Sequence, residues 1–391
     1  MSWPISKLGD IFDISSSKRV HQKDWREEGV PFYRAREVVI LARDGKVDND
    51  LFIEEEMYEE YKDKYGAPQE GDILVTAVGT LGQTYAVKKD DRFYFKDASV
   101  ILLRKKIEVD IPYILHALNS VDVQRTIKKS DGATVGTYTI SRAKETEIPL
   151  PPLTEQKRIA AILDKVDSIR RKRQQAIQLA DDFLRAVFIE RFGDPKHSSY
   201  PIFNLKDVCM KITDGTHHTP TYTDSGVHFL RVTDINKPKV DWNKTKFVSK
   251  EEHVELIKRC HPERGDVLYS KNGTIGVPKL IDWDTEFSIF VSLCLIKPKR
   301  EVLLGGYLES FLKTPFALKQ ATARAKSATV TNLHLIEIKE IKLPVPPVEI
   351  QKKWLDFVSK HNLTIQQLDS SLIEANKQFD SISQKAFSGK L

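Results

Sequence analysis

Two polar segments carry the side chains best suited to recognition or chemistry: ISSSKRVHQ (Ile14–Gln22) and ITDGTHHTP (Ile212–Pro220). Lys, Arg, Asn, Thr and His can hydrogen-bond base edges or hold phosphates. The pairs TAVGT/SKNGT and TVGTY/TVTNL behave alike: framework letters persist while polar letters are exchanged. A duplicated scaffold with divergent polar loops suits two different recognition tasks. Plain loop drift leaves the same trace, because polar surface positions tolerate change.

Catalytic constellations are mostly absent from the sequence. There is no GxxxxGK[ST] phosphate loop. PLPPL and PVPPV contain Pro-Pro without the flanking Asp/Asn and aromatic residue of an adenine-methyltransferase tetrapeptide; there the prolines end a strand and preorganise a helix start. Glu337–Lys339 offers an acidic-x-Lys half of a nuclease site, but no Pro-Asp lies upstream and EIKEIK reads as a solvated strand. GTLG and GTIG could cradle a phosphate, although a tight hairpin turn is the simpler role. His217, His218, His228, Cys260 and His261 lack the paired spacing of a metal site.

These segments must be positioned by a repeated architecture. GDILVTAVGTLG (Gly71–Gly82) matches GDVLYSKNGTIG (Gly265–Gly276) at an offset of 194, and GATVGTYTI matches SATVTNLHL at 195. PFYRAREV falls on HFLRVTDI, placing Arg34 over Arg231 and Glu37 over Asp234. KLGDIF matches NLKDVC, and PLPPLTEQK and PVPPVEIQK close the two copies. The order is therefore domain, helix, domain, helix. Short apolar runs such as GDILVTAV, SVILLRK, GDVLYSK and SIFVSLCLIK predict strands; EEEMYEEYKDKYG and IPYILHALNSVDVQRTIKK predict helices. The fold class is α/β (α+β), with domains over 1–150 and 196–345 and long helices over 151–195 and 346–391.

In the first long helix Ile159, Ile162, Val166, Ile169, Arg173, Ala176, Ala180, Phe183 and Val187 alternate by three and four. Trp354, Val358, His361, Ile365, Leu368, Leu372, Ala375, Phe379 and Ile382 do so in the second. Each seam needs a partner, and mutual pairing is the simplest solution. About 39 residues give a rod of ~58 Å. The short link between Phe192 and Ile202 favours antiparallel pairing, with the domains at opposite ends related by a pseudo-twofold axis. RRKR (Arg170–Arg173) reads as a solvated face that could also touch phosphates.

With 391 residues, 40% apolar content and 18 Phe, the chain has material for folded cores. No run of 18 apolar residues suggests a membrane span, and the first residues lack a targeting pattern. Cys209, Cys260 and Cys294 fit a reducing cytoplasm without a disulfide frame. The net charge of +6 leans only slightly toward an acidic partner.

The PLPPLTEQKRIAAILDKVD segment, its weaker copy PVPPVEIQKKW, ITDGTHHTP and the GDxL…GTxG pair together resemble the specificity subunit of type I restriction–modification enzymes, over essentially the whole chain. The resemblance implies two target-recognition domains, each reading one half of a bipartite, asymmetric double-stranded DNA site. The helix pair would act as a ruler and dock methyltransferase subunits, two of them. Half-sites about one helical turn apart, ~34–36 Å, would suit such a ruler. This chain would bind no cofactor and catalyse nothing. Partner methyltransferase subunits would use S-adenosylmethionine, and motor–nuclease restriction subunits ATP and Mg2+; the assembly would work in the cytoplasm, away from membranes.

Expected base readers are Lys18, Arg19, Arg36 and Thr134 in the first domain, with Thr216, His217, Lys271, Asn272 and Thr329 in the second. Arg34 and Arg231 recur in both copies and suit DNA-backbone positioning or an internal salt bridge. Docking of the methyltransferase subunits is expected at Thr154, Glu155, Gln156, Ile159, Gln351 and Trp354. VEIQKKWLDF lacks the Thr-Glu and Ala-rich start of the first copy, so the two docking faces need not be equivalent. A two-domain coiled-coil scaffold for proteins and a self-sufficient DNA enzyme are the competing readings. Salt-dependent duplex binding separates the first; the missing motifs disfavour the second.

Overall fold

The computed structural model describes residues 3–129, 136–237, 239–323 and 332–391. The chain divides into two compact units, residues 1–174 with 371–391, and residues 175–370.

The first unit opens with β1 (Ile5–Lys7), α1 (Leu8–Ile11), β2 (Phe12–Ser15), β3 (Val30–Tyr33), α2 (Ala35–Asp44) and β4 (Phe52–Ile53). There follow α3 (Glu55–Tyr65), β5 (Ile73–Thr76), β6 (Thr84–Ala86), β7 (Tyr94–Phe95) and β8 (Val100–Lys105). It closes with α4 (Ile111–Leu118), α5 (Val121–Lys128), α6 (Ile140–Glu145), β9 (Glu147–Pro149) and the start of α7 (Leu153–Phe192). Strands β2-β8-β5-β6 form an antiparallel sheet, β4-β3-β7 a second sheet with β3 and β7 parallel, and β1 pairs with β9. All four residues of β5 are buried because both faces of its sheet are covered. Ile73 and Val75 face Tyr113, Ile114, Ile159 and Leu163, while Leu74 joins Leu102, Val38 and Leu41 on the opposite side.

The second unit repeats this plan with β10 (Ile202–Asn204), β11 (Cys209–Asp214), β12 (Tyr222–Thr223), β13 (Val227–Leu230), α8 (Val232–Ile235) and β14 (Lys246–Val248). Next come α9 (Lys250–Arg259), β15 (Val267–Ser270), β16 (Pro278–Leu280), β17 (Phe287–Ile289) and β18 (Leu293–Pro298). The last elements are α10 (Gly305–Leu312), α11 (Pro315–Thr322), α12 (Leu335–Lys339), β19 (Lys342–Pro344) and α13 (Val348–Phe387). Sheet β11-β18-β15-β16 and the pair β10-β19 mirror those of the first unit, and β12-β14-β13-β17 repeats β4-β3-β7 with β12 added at its edge.

Two expected strands take a different form. SIFVSLCLIK is split into β17 and β18, which belong to separate sheets, with a turn closed by Leu293 N–H donating to the Phe290 carbonyl (2.9 Å). EIKEIK is not a strand over its first half. Leu335–Lys339 is a short helix, because the Glu337 carboxylate accepts from the His334 backbone N–H (2.8 Å) and Ile338 is drawn into the core.

The long helices pair antiparallel within each unit. In the first, Arg158 donates to the Leu391 carbonyl, Arg170 covers the Phe379 ring at 4.6 Å and Arg173 donates to the Ser371 carbonyl (2.7 Å). In the second, Phe183 faces His361, and Phe188 and Phe192 pack on Trp354 with ring centres 5.2 and 5.6 Å away. The α13 seam is buried or half-buried at every expected position from Trp354 to Ile382. On α7 part of the seam shifts by one residue: Leu163, Arg170 and Leu184 turn inward, while Ile169 and Phe183 stay 43% and 53% exposed. At 3.6 residues per turn Ile162 and Leu163 are both available to the seam, and packing selects the latter.

Candidate nucleic-acid interface

In the first unit the antiparallel order places the end of β2, the end of β5 and the start of β8 at one edge of the sheet. The loop after β2, carrying Lys18 and Arg19, therefore lies beside the GTLG turn between β5 and β6. That turn is a hairpin, as the sequence suggests, with Gly79 and Gly82 at φ +74° and +76°. Val78 bridges Thr137, bringing the segment before α6 to the same edge. Parallel β3 and β7 also finish there: Lys96 N–H donates to the Tyr33 carbonyl, Ser17 Oγ to the Phe95 carbonyl and Lys18 N–H to Tyr94 Oη. Arg34 and Arg36 follow directly from β3. A cleft of about 530 Å3 at this pole is lined by residues including Ser16, Ser17, Asp97, Thr137 and Ser141.

The pole of the second unit is built from the equivalent segments. Thr216 bridges Phe290, Asn272 bridges Asn332, and Lys271 N–H donates to the Ser292 carbonyl as Ala77 N–H does to that of Ser99. Its chemistry differs. Asp214, at the end of β11, is buried; its Oδ2 accepts from Lys271 Nζ (2.7 Å), and its Oδ1 from Arg259 Nη2 (2.6 Å) and contacts His217 Nε2 (3.2 Å). Burial pushes the Asp214 carboxyl up, but the hydrogen bonds from Lys271 and His217 outweigh it and hold the group below the usual carboxylate range. Thr216 is turned inward, its Oγ1 donating to the His218 carbonyl (3.1 Å).

The structure thus gathers Lys18, Arg19, Arg34 and Arg36 at one pole and Thr216, His217, Arg231, Lys271 and Asn272 at the other. Thr134 and Thr329 lie outside the described residues. Lys18 and Arg19 are exposed, Lys18 above the Tyr65 ring at 5.2 Å and Arg19 paired with Asp97 (2.9 Å). One expectation changes on burial. Lys271 is an internal partner of Asp214, not a free reader, because its ammonium is buried against that carboxylate. Arg34 and Arg231 cap α2 and α8: Glu37 and Asp234 accept from their backbone N–H and their guanidinium groups. Of the two roles expected for them, both make the internal ion pair. The RRKR run is likewise largely engaged, with Arg170 and Arg171 both on Asp167.

The expected docking residues receive the sharpest correction. Gln156, Ile159, Gln351 and Trp354 are buried in their own chain. Gln156 Oε1 accepts from Asp110 N–H (3.0 Å) and its Nε2 donates to the Pro151 carbonyl (2.8 Å). Gln351 Oε1 accepts from Leu304 N–H (2.8 Å), and its Nε2 donates to the carbonyls of Pro346 (2.8 Å) and Val302 (2.7 Å). The repeated Gln is a clamp joining the first turn of each long helix to its own domain. Thr154 is exposed, and Glu155 is half-buried in an ion pair with Arg158.

Sequence reasoning did not single out Asp214, Arg259, Asp97 or Tyr65. One signal for the first was present: Ser16 and Ala77 become Asp214 and Lys271 together, as a buried ion pair requires.

The family model for the type I restriction modification DNA specificity domain matches residues 2–179 and again residues 198–375. The chain belongs to the type I DNA specificity family. Relatives include the type I restriction enzyme EcoBI specificity subunit of Escherichia coli, 26% identical over 72% of this chain and 64% of that one. The EcoKI specificity subunit of E. coli K12 is 27% identical over 62% and 57%, and the MjaVIII specificity subunit of Methanocaldococcus jannaschii 22% over 90% and 84%. The alignments to the two E. coli proteins thus span less than two thirds of their length. Among solved structures, the S subunit of the M. genitalium type I system shares 18% identity and a TM-score of 0.50 over 99% of this chain and 96% of that one. A chain solved in work on assembly and conformational transition of the type I R-M system gives 18% and 0.55 over 100% and 98%. Both show the specificity-subunit fold.

Proposed function

We propose that this member of the specificity family is the DNA-reading subunit of a type I restriction–modification complex. Each pole reads one half of a bipartite site, and the paired helices set the gap and carry methyltransferase subunits. The chain is a non-catalytic, cytoplasmic component: methyl transfer with S-adenosylmethionine, and ATP- and Mg2+-dependent cleavage, belong to partner subunits. The observation that carries this reading is one loop constellation built twice on the same scaffold with its chemistry exchanged, Ser16 and Ala77 at one pole against Asp214 and Lys271 at the other. Identical poles would read a symmetric site; unlike poles read an asymmetric one.

The test is co-expression with the methyltransferase subunits and genome-wide mapping of methylated adenines. An asymmetric motif with a fixed unspecified gap is expected, shortened when one heptad is deleted from both long helices. A contiguous motif, or a gap indifferent to that deletion, overturns the reading. Duplex binding by the complex should also weaken steeply with salt.

A further inference from the structure

Helix α3 ends at Tyr65 and helix α9 at Arg259, and these residues are equivalent: the 194-residue offset that aligns Gly71 with Gly265 also places Tyr65 on Arg259. Both reach the loop after the first strand of the main sheet. Tyr65 lies beneath Lys18, with Tyr61 donating to the Arg19 carbonyl. Arg259 binds Asp214 through Nη2 and comes within 3.5 Å of His217 Nε2 through the same nitrogen. The helix end is itself fixed in the second unit, where Lys211 Nζ donates to the Arg259 carbonyl (2.5 Å). A shared backbone position thus delivers a different side chain to each pole.

Both side chains are more than half exposed, 55% for the Tyr65 residue and 56% for the Arg259 side chain. A tyrosine placed in water beside a lysine offers a flat face and a hydroxyl to a nucleic-acid base. A guanidinium held at one nitrogen by a buried carboxylate is preorganised, and its planar fork matches the two acceptors on the major-groove edge of guanine. Ion pairing alone would not require this exposure: Lys271 already neutralises Asp214 from the buried side.

We propose that the residue at the end of this helix, Tyr65 in one unit and Arg259 in the other, is a specificity-determining contact to DNA bases, with Asp214 as the positioning residue for Arg259. The proposal rests on the DNA-reading function above and adds the residues that make the two half-sites differ.

The experiment maps methylation motifs for the complete methyltransferase complex carrying wild-type chain, Arg259→Ala, Arg259→Lys, Tyr65→Ala or Tyr65→Phe, with thermal melting of each. Arg259→Ala is expected to relax at least one base position in one half of the motif and weaken binding to the wild-type site about tenfold or more. Tyr65→Ala should alter only the other half. Arg259→Lys separates base reading from charge: it keeps the cation but lacks the fork, so relaxation should persist. Asp214→Asn should relax the same positions as Arg259→Ala, with the other half unchanged. Full rescue by Arg259→Lys, unchanged motifs in both alanine variants, or both variants affecting the same half would overturn the proposal. Tyr65→Phe keeps the ring and removes only the hydroxyl, so it should disturb the half-site less than Tyr65→Ala does, and an unchanged motif with lower melting alone in Tyr65→Ala counts against the proposal. A wild-type complex that yields no split motif would instead overturn the function on which it rests.

Discussion

The clamp formed by Gln351 can be separated from a docking role by one substitution. Gln351→Leu keeps the side-chain volume and removes all three hydrogen bonds, leaving the Leu304 N–H without its partner and the Val302 and Pro346 carbonyls without the amide donor. The residue is completely buried, so water cannot replace those bonds. At ~1–3 kcal/mol for each stranded group, less the gain from an apolar side chain, the loss is about 3–5 kcal/mol. For a cooperative unit of this size that lowers Tm by roughly 6–20 °C. Gln156→Leu, which breaks two bonds, should fall by about 2–3 kcal/mol. The assays are urea unfolding and, below the transition, titration with the methyltransferase subunit. Affinity of the folded variant should match the wild type, because a side chain with no exposed surface has nothing to offer a partner. Unfolding curves unchanged within 1 kcal/mol, or lost partner binding at unchanged stability, would refute the clamp and restore the docking role.

The other expectations are briefer. Gly215→Ala would place a Cβ 2.0 Å from the Ile289 carbonyl oxygen, so the second pole should be lost or strongly destabilised in melting and half-site binding, whereas Gly79→Ala, with open space around it but φ +74°, should lose only about 1 kcal/mol by denaturant titration. Trp354→Ala should destabilise by ~3–5 kcal/mol in urea unfolding, since the buried indole packs on Phe188, Phe192 and Phe357 and donates to Ser310. Burial lowers the folded values of His228 and His253 below 6.5. The unfolded state therefore takes up these protons first as pH falls, and the associated stability, complete above about pH 6.5, is lost toward the lower folded values. Melting of the second unit across pH 8 to 5 should show this decline, and His253→Gln should flatten it.

The repeat, the two long helices and the α13 seam were legible because they rest on period and spacing, which a chain displays directly. The α7 seam slipped where adjacent apolar residues, Ile162 with Leu163 and Phe183 with Leu184, left two registers open; contacts such as Arg170 on Phe379 decide between them. Gln156 and Gln351 misled for a different reason. Recurrence in two copies fits a shared partner and a shared internal bond equally well, and only burial distinguishes them. EIKEIK alternates like a strand, yet a local cap and the burial of Ile338 prevail over its period. At the poles, residue types pointed to loops that the fold brings to one edge of each main sheet. That Lys271 turns inward to Asp214 left only the joint exchange of Ser16 and Ala77 as a trace, because a buried ion pair joins residues 57 positions apart through the fold.

The short pairs β1-β9 and β10-β19 have a meaning beyond closing a sheet. In each unit the first strand of the domain lies against the last, Ile5 beside Pro149 and Ile202 beside Pro344. The chain therefore enters and leaves each domain through one doorway, immediately before a long helix begins. Everything inside that doorway is a cassette. Exchange of the coding segment between these two hinges would replace a whole domain in one step, provided the incoming domain kept the contacts that hold each helix start, Asp110 N–H to Gln156 and Leu304 N–H to Gln351.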